Sequence, residues 1–181
     1  MPYFFKERLY TERMRKIYLG IGTNLGDRED NLRGAMSMIK EHIGRVIRSS
    51  SVYKTEPWGF DSEDSFLNIV AEIDTELDPY RLLDQALMAE ARLGRVRTAG
   101  GYKSRLIDID ILLYGRKIIN SGILKIPHPR IHERRFVLEP LNEIAPEIVH
   151  PLLKKKIKTL LEECDDRRGV ERTDIIIEEE R

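Results

Sequence analysis

The chain has 181 residues, 41% hydrophobic and 34% charged, and its 31 basic and 31 acidic side chains cancel to a formal net charge of +0. That length suits one domain burying roughly two-thirds of its unfolded surface, and the zero balance excludes the global basic field used by nucleic-acid binders. A single cysteine, Cys164, excludes an internal disulfide framework, and no run approaches the ~20 apolar residues of a membrane span, so a globular protein with the cytoplasm as its default compartment is expected.

Residues 1–15 show no clear period and lack the apolar core of a signal peptide; they read as an N-terminal extension. Lys16 to Gly22 reads as a strand, followed by a tight strand-to-helix turn over Gly22-Thr23-Asn24-Leu25-Gly26-Asp27. Its glycines, at 20, 22 and 26, fit neither nucleotide-loop spacing. Asp27 is the expected N-cap of a helix carrying Leu32, Ala35, Met36, Ile39 and Ile43 at helical spacing and closed by Gly44. Arg45 to Thr55 is strand-like, and Glu56 to Asp61 is a loop holding the only tryptophan, Trp58.

Phe66 to Asp74 alternates, with Leu67, Ile69, Ala71 and Ile73 on one face and Phe66, Asn68, Val70 and Glu72 on the other. A flat aromatic beside a side-chain amide suits a planar heterocycle with donors and acceptors on its edge. Asp78-Pro79 opens a helix to Leu93, ended by Gly94, with Leu83, Ala86 and Leu87 as its apolar stripe. Glu90 falls on that stripe, either at the helix rim or aimed into a site.

From Arg92 to Arg105 the chain is basic, with no acid, and it leads into Ile107-Asp108-Ile109-Asp110-Ile111-Leu112-Leu113. In a strand, Asp108, Asp110 and Leu112 share one face while Ile107, Ile109, Ile111 and Leu113 line the core. Two carboxylates about 7 Å apart at the Cα level, fed by an arginine-rich loop, are what a magnesium-polyphosphate requires: acids for the hard cation, guanidiniums for the anion. Short strands over 118–119 and 123–126 follow, then a second cationic cluster formed by His128, Arg130, His132, Arg134 and Arg135. His128 and His132 stand four apart, but no third zinc ligand follows at a telling distance. Beyond Pro151 a terminal helix (LLKKKIKTLLEE) is expected, then a charged tail over 166–181.

The stretch from Ile17 to about Pro151 resembles the hydroxymethyl-dihydropterin pyrophosphokinase family of folate biosynthesis. The resemblance is carried by YLGIGTNLGDREDNL, SSVYKTEPWGF, FLNIVAEI, LGRVR, RLIDIDILLYG, IPHPRIHERRFVLEPL and EIAPEIVHP, in order and at the right spacing. It implies a single α+β domain over 16–165, a ferredoxin-like antiparallel sheet flanked by helices, acting as a monomer. It also implies magnesium-dependent transfer of the terminal pyrophosphate of ATP to the hydroxymethyl group of the pterin, releasing AMP. Carried onto this chain, the metal aspartates are Asp108 and Asp110, holding two ions, with Arg95 and Arg105 completing the catalytic set. The pterin positions are Thr55, Trp58 through its backbone, Phe66, Asn68 and Phe136. The ATP positions are Glu90, Arg95, Arg97, Arg105, Ile111, His128 and Arg134, with Leu87 and Pro129 beside them. The chain departs from the family at Phe66, where tyrosine is often found, and over Gly100 to Ser104, where a tryptophan-containing loop is usual. A metal-dependent phosphohydrolase and a non-catalytic binding module are the competing readings.

Overall fold

Period-two patterning sets the central strand. β1 (Ile17–Thr23) turns Ile17, Leu19 and Ile21 to one face of the sheet and Tyr18, Gly20 and Gly22 to the other. β4 (Phe66–Asp74) pairs antiparallel along one side of it, with Gly22 opposite Asn68 and Gly20 opposite Val70. Along the other side runs β5 (Asp108–Tyr114), also antiparallel, with Gly22 opposite Asp108 and Gly20 opposite Asp110. The structure, a computed structural model, describes residues 16–57, 64–95 and 105–177.

Two helices cover the first face. α1 (Arg28–His42) begins where the Asp27 carboxylate accepts the Asp30 N–H at 3.0 Å, and the N–H groups of Ile43 and Gly44 close it on the Ile39 carbonyl. α2 (Pro79–Arg92) begins with proline at its first position and the Asp78 carboxylate accepting from Tyr80 and Arg81. Leu32, Ala35, Met36 and Ile39 of α1 and Leu82, Ala86 and Ala89 of α2 pack on Ile17, Leu19, Ile21, Leu67, Ile69 and Ile109. Each fully buried Leu or Ile there contributes about 1.5–3 kcal/mol. The second face is covered by α3 (Arg135–Ile144) and α4 (Ile157–Glu162), whose Val137, Leu138, Leu141, Ile144, Ile157 and Leu160 pack on Tyr18, Val70, Leu112 and Leu113. With β2 (Arg45–Ser49) and β3 (Tyr53–Thr55) both on the outer side of β4, the order β-α-β-β-α-β is the ferredoxin-like α+β fold expected from the sequence. A hairpin of β6 (Ile119–Asn120) and β7 (Lys125–Ile126) stands apart from the main sheet. No helix among the described residues is long and apolar enough to cross a membrane.

Several segments differ from the sequence reading, each for a local reason. Arg45 to Thr55 is two strands, because the Ser50 hydroxyl, rather than a carbonyl, accepts the Val70 N–H and interrupts the ladder. Leu113 joins Leu112 on the second face: a register shift opposite Tyr18 and Leu19 bulges β5, and Tyr114 takes the next core position instead. The stripe of α2 centres on Leu82, with Leu83 partly buried. The terminal helix is short because Lys154 takes a left-handed conformation at φ 57 and the His150 N–H and carbonyl are tied into a loop with Lys155 and Lys154. The segment read as a charged tail supplies β8 (Val170–Arg172), which pairs antiparallel with β3.

His150 in that loop is 3% exposed, and its Nδ1 accepts the Leu153 N–H at 3.2 Å. Burial pushes its pKa down to about 4. The folded imidazole therefore stays neutral where an unfolded one takes up a proton, so stability is lost as pH falls from about 6.5 towards 4 and then levels off. Between pH 7 and 5 the His150→Asn variant is expected to lose about 2 kcal/mol less stability than the native chain. Urea midpoints at the two pH values measure this, and equal losses would count against it.

Candidate active site

The two glycines of β1 define the floor of a cavity of about 300 Å³ on the α3 face of the sheet. Gly20 and Gly22 leave the strand without side chains there, and the adjoining strands lean in over it. A Cβ on Gly22 would stand 2.7 Å from Asn68 Oδ1, and one on Gly20 3.3 Å from a Leu112 methyl. One wall is β4 and β3, carrying Phe66, Asn68 and Thr55, with Asn68 Nδ2 donating to Thr55 Oγ1 at 2.7 Å. The opposite wall is β5, carrying Asp108, Asp110 and Leu112. Over the top come His128 and the start of α3, with Arg134, Phe136 and Val137. Each phenylalanine has a guanidinium over its ring: Arg105 Cζ lies 5.8 Å from the Phe66 centroid and Arg134 Cζ 5.6 Å from that of Phe136.

Charge is concentrated at the β5 wall. Burial opposes ionisation of Asp108, but the guanidiniums of Arg105 and then Arg95, both paired with it, outweigh burial and hold the carboxyl below its ordinary range. Asp110, partly exposed, opens onto the same cavity. Burial, and then the charge on Asp108, push it up to about 7, against the pull of Arg134 and Arg105. Two carboxylates on one strand face, one of them ionised only at the cost of repelling the other, are oxygen donors that could hold a hard dication. Burial, and then Arg134, push His128 down to about 4. Its Nδ1 accepts the Arg130 N–H at 3.2 Å, so the neutral ring carries its proton on Nε2.

Two buried contacts behind the walls fix these groups. Glu90 is 2% exposed; its Oε1 accepts the Ile109 N–H at 2.8 Å and lies 2.6 Å from Arg95 Nη1, so one carboxylate holds both β5 and a cavity arginine. Asn24 grips the backbone of Arg105, its N–H donating to the Arg105 carbonyl and its Oδ1 accepting the Arg105 N–H at 2.7 Å.

The cavity thus gathers Thr55, Phe66, Asn68, Arg95, Arg105, Asp108, Asp110, His128, Arg134 and Phe136 from the sequence-derived set. Glu90 stands behind the wall, and the Ile111 side chain packs in the core on the opposite face, as alternation from Asp110 requires. Leu87 and Pro129 lie off the lining. Trp58, Arg97 and the Gly100–Ser104 departures fall outside the described residues. The sequence reading missed the floor glycines, Asn24 and the lining acid Glu56. Glycines two apart inside a strand were the available signal for the floor.

Comparison with known proteins agrees with this architecture. A 2-amino-4-hydroxy-6-hydroxymethyldihydropteridine pyrophosphokinase of Methylorubrum extorquens is 45% identical over 137 residues, covering 75% of this chain and 86% of the relative. The enzyme of that name from Bacillus subtilis is 42% identical over 132 residues, covering 72% and 78%. A crystal structure of Plasmodium falciparum HPPK-DHPS superposes with a TM-score of 0.68 at 17% identity, over 82% of this chain and 44% of that longer one, which shares the fold. Residues 18–146 match the sequence profile of 7,8-dihydro-6-hydroxymethylpterin-pyrophosphokinase, and with the identity to the bacterial relatives this places the chain in that pyrophosphokinase family.

Proposed function

We propose that this chain transfers the terminal pyrophosphate of ATP to the hydroxymethyl group of 6-hydroxymethyl-7,8-dihydropterin, releasing AMP, as a step of folate biosynthesis. The observation that carries the reading is one cavity with an aromatic–amide wall facing a carboxylate–arginine wall. The first suits a flat heterocycle, and the second suits a metal-bound triphosphate.

On the pterin side, Phe66 and Phe136 offer ring faces, and Asn68, held by Thr55, presents its carbonyl and second N–H to the heterocycle's edge. On the nucleotide side, Arg95, Arg105 and Arg134 neutralise phosphate charge, and His128 donates its Nε2–H to a phosphate oxygen. Asp108 and Asp110 would hold magnesium, in our reading two ions, which would supply charge neutralisation and activation of the pterin hydroxyl. The contacts of Arg95 and Arg105 with Asp108 neutralise the cavity from within. With substrate, the guanidiniums would turn to phosphate and free the carboxylates for a cation. Arg97 and the Trp58 backbone complete the nucleotide and pterin sets. Positioning and charge neutralisation then carry the rate, with no dedicated general base. The reaction belongs to the cytoplasm, by a monomer whose catalytic domain over residues 16–165 carries the β8 strand packed on its edge.

Incubation with ATP, magnesium and the hydroxymethyl pterin is expected to release AMP only when the pterin is present. Phosphate release without pterin would favour a phosphohydrolase, and binding without AMP a non-catalytic module.

Because a Cβ at Gly22 reaches the Asn68 oxygen, Gly22→Ala is expected to swing that amide off Thr55 and raise the KM for the pterin about tenfold or more. Gly20→Ala, which meets only Leu112 methyls, is the milder variant. Equal pterin KM values in Gly22→Ala and the native chain would refute this role for the floor.

A further inference from the structure

Residues 166–172 lie C-terminal to the stretch matched by the family profile, which ends at 146, and they touch both the β3 wall and the α3 start that roofs the pterin half of the cavity. Along β3, Val170 stands opposite Thr55 and Arg172 opposite Tyr53. The Glu56 N–H donates to the Gly169 carbonyl at 3.3 Å, and the Thr173 N–H to the Val52 carbonyl at 2.9 Å. β3 is three residues long, and β8 covers its outer edge, so the strand that carries Thr55 is held from both sides.

The second contact is at the start of α3. That helix has no cap of its own: the Arg134 side chain makes no capping hydrogen bond, and the first turn holds no acid. The Arg135 N–H donates instead to Asp166 Oδ2 at 3.3 Å. Asp166 Oδ1 is fixed in turn by the Arg168 N–H at 3.2 Å and Arg168 Nη1 at 2.8 Å, and the side chain is only 5% exposed. Arg134 and Phe136 flank Arg135, so this carboxylate anchors the helix end from which both side chains enter the cavity. An acid at a helix N-terminus answers both the unpaired donor and the positive end of the dipole.

Resting on the function proposed above, we propose that Asp166 and the β8 strap are positioning elements for the pterin site. They hold the Thr55–Asn68 wall and the Phe136 ring at the separation the heterocycle needs. Without the cap, the first turn of α3 frays, and Phe136 spends only a fraction of its time in place. The apparent affinity for pterin falls by that fraction. The β5 wall, which carries Asp108 and Asp110, has no pairing with the strap and is undisturbed.

The test is steady-state AMP release by the full chain, with pterin varied at saturating ATP and magnesium. Asp166→Ala is expected to raise the pterin KM about tenfold with kcat within about threefold. Asp166→Asn, which keeps an acceptor oxygen, stays within about threefold of the native KM, and Asp165→Ala, at an exposed neighbour, leaves it unchanged. Arg172→Ala, which loosens β8 from the Ser51 hydroxyl at an exposed position, moves the pterin KM the same way by about threefold and tests the strap even if Asp166→Ala fails to fold. A native pterin KM in both Asp166→Ala and Arg172→Ala, a loss confined to kcat, or an Asp166→Asn variant as impaired as Asp166→Ala would each overturn the inference. A native chain that makes no pterin-dependent AMP would instead remove the function on which it rests.

Discussion

Replacing Asp110 with asparagine is expected to cut pterin-dependent AMP release by about a thousandfold or more while leaving the protein as stable or more stable. The loss follows from removing one of two carboxylates on the β5 wall, since an amide is a poor ligand for a hard dication. The stability gain follows from the same geometry. Asp110 sits beside the charge of Asp108 and is pushed up to about 7. An acid raised in the folded state holds its proton where the unfolded one has released it, so its contribution favours the fold at low pH. That contribution is lost as pH rises from about 4 through 7. Without divalent ions, the asparagine variant should therefore gain about 1–3 kcal/mol on the native chain at pH 8 and little at pH 4. Denaturation in chelator at the two pH values, set beside the activity assay, tests both halves. Near-native turnover would refute the metal role, and a pH-independent stability difference would refute the electrostatic account.

Glu90→Ala is expected to be among the more damaging single changes to the fold itself, at about 3 kcal/mol, or about 6–12 °C in Tm for a chain of this size. It strips the Ile109 N–H of its acceptor and takes one of two carboxylates from the half-buried Arg95 guanidinium. Glu90→Gln keeps an oxygen for Ile109 and should cost about 1 kcal/mol, while still releasing Arg95 from one partner and lowering activity. If glutamine proved as destabilising as alanine, charge rather than the strand hydrogen bond would be the dominant contribution.

The two variants mark what local sequence pattern discloses. Asp108 and Asp110 fall on one face because alternation is a property of neighbours, and the same rule separates Phe66 and Asn68 from Leu67 and Ile69. Asp27 and Asp78 were legible as caps for the same reason. The contacts that tie the site together join residues far apart in sequence: Asn24 to Arg105, Glu90 to Ile109, Asp166 to Arg135. No periodicity encodes these pairings; the first two exist because the sheet brings β1, β5 and the end of α2 together, and the third because the chain leading into β8 passes the start of α3. Glu90 stands out in the sequence as an acid on an apolar stripe, but its partner, a backbone N–H, has no signature there. α3 went unread because its apolar positions Val137, Leu138, Leu141 and Ile144 follow a run of arginines and enclose Pro140, whose missing N–H leaves the Phe136 carbonyl without its helical donor. β8 was hidden by the charge around it, although Ile175 and Ile177 just beyond pack against the core.

The floor formed by Gly20 and Gly22 has one further consequence. The amides of β1 are already paired with β4 and β5, so the floor offers a ligand only its flat surface, and mutation at these two positions adds bulk without taking a side-chain contact away. An inhibitor resting chiefly on that floor would face only variants that also obstruct the natural substrate. One leaning on the Phe66, Phe136 or Thr55 side chains would meet groups whose substitution can weaken the inhibitor more than the substrate.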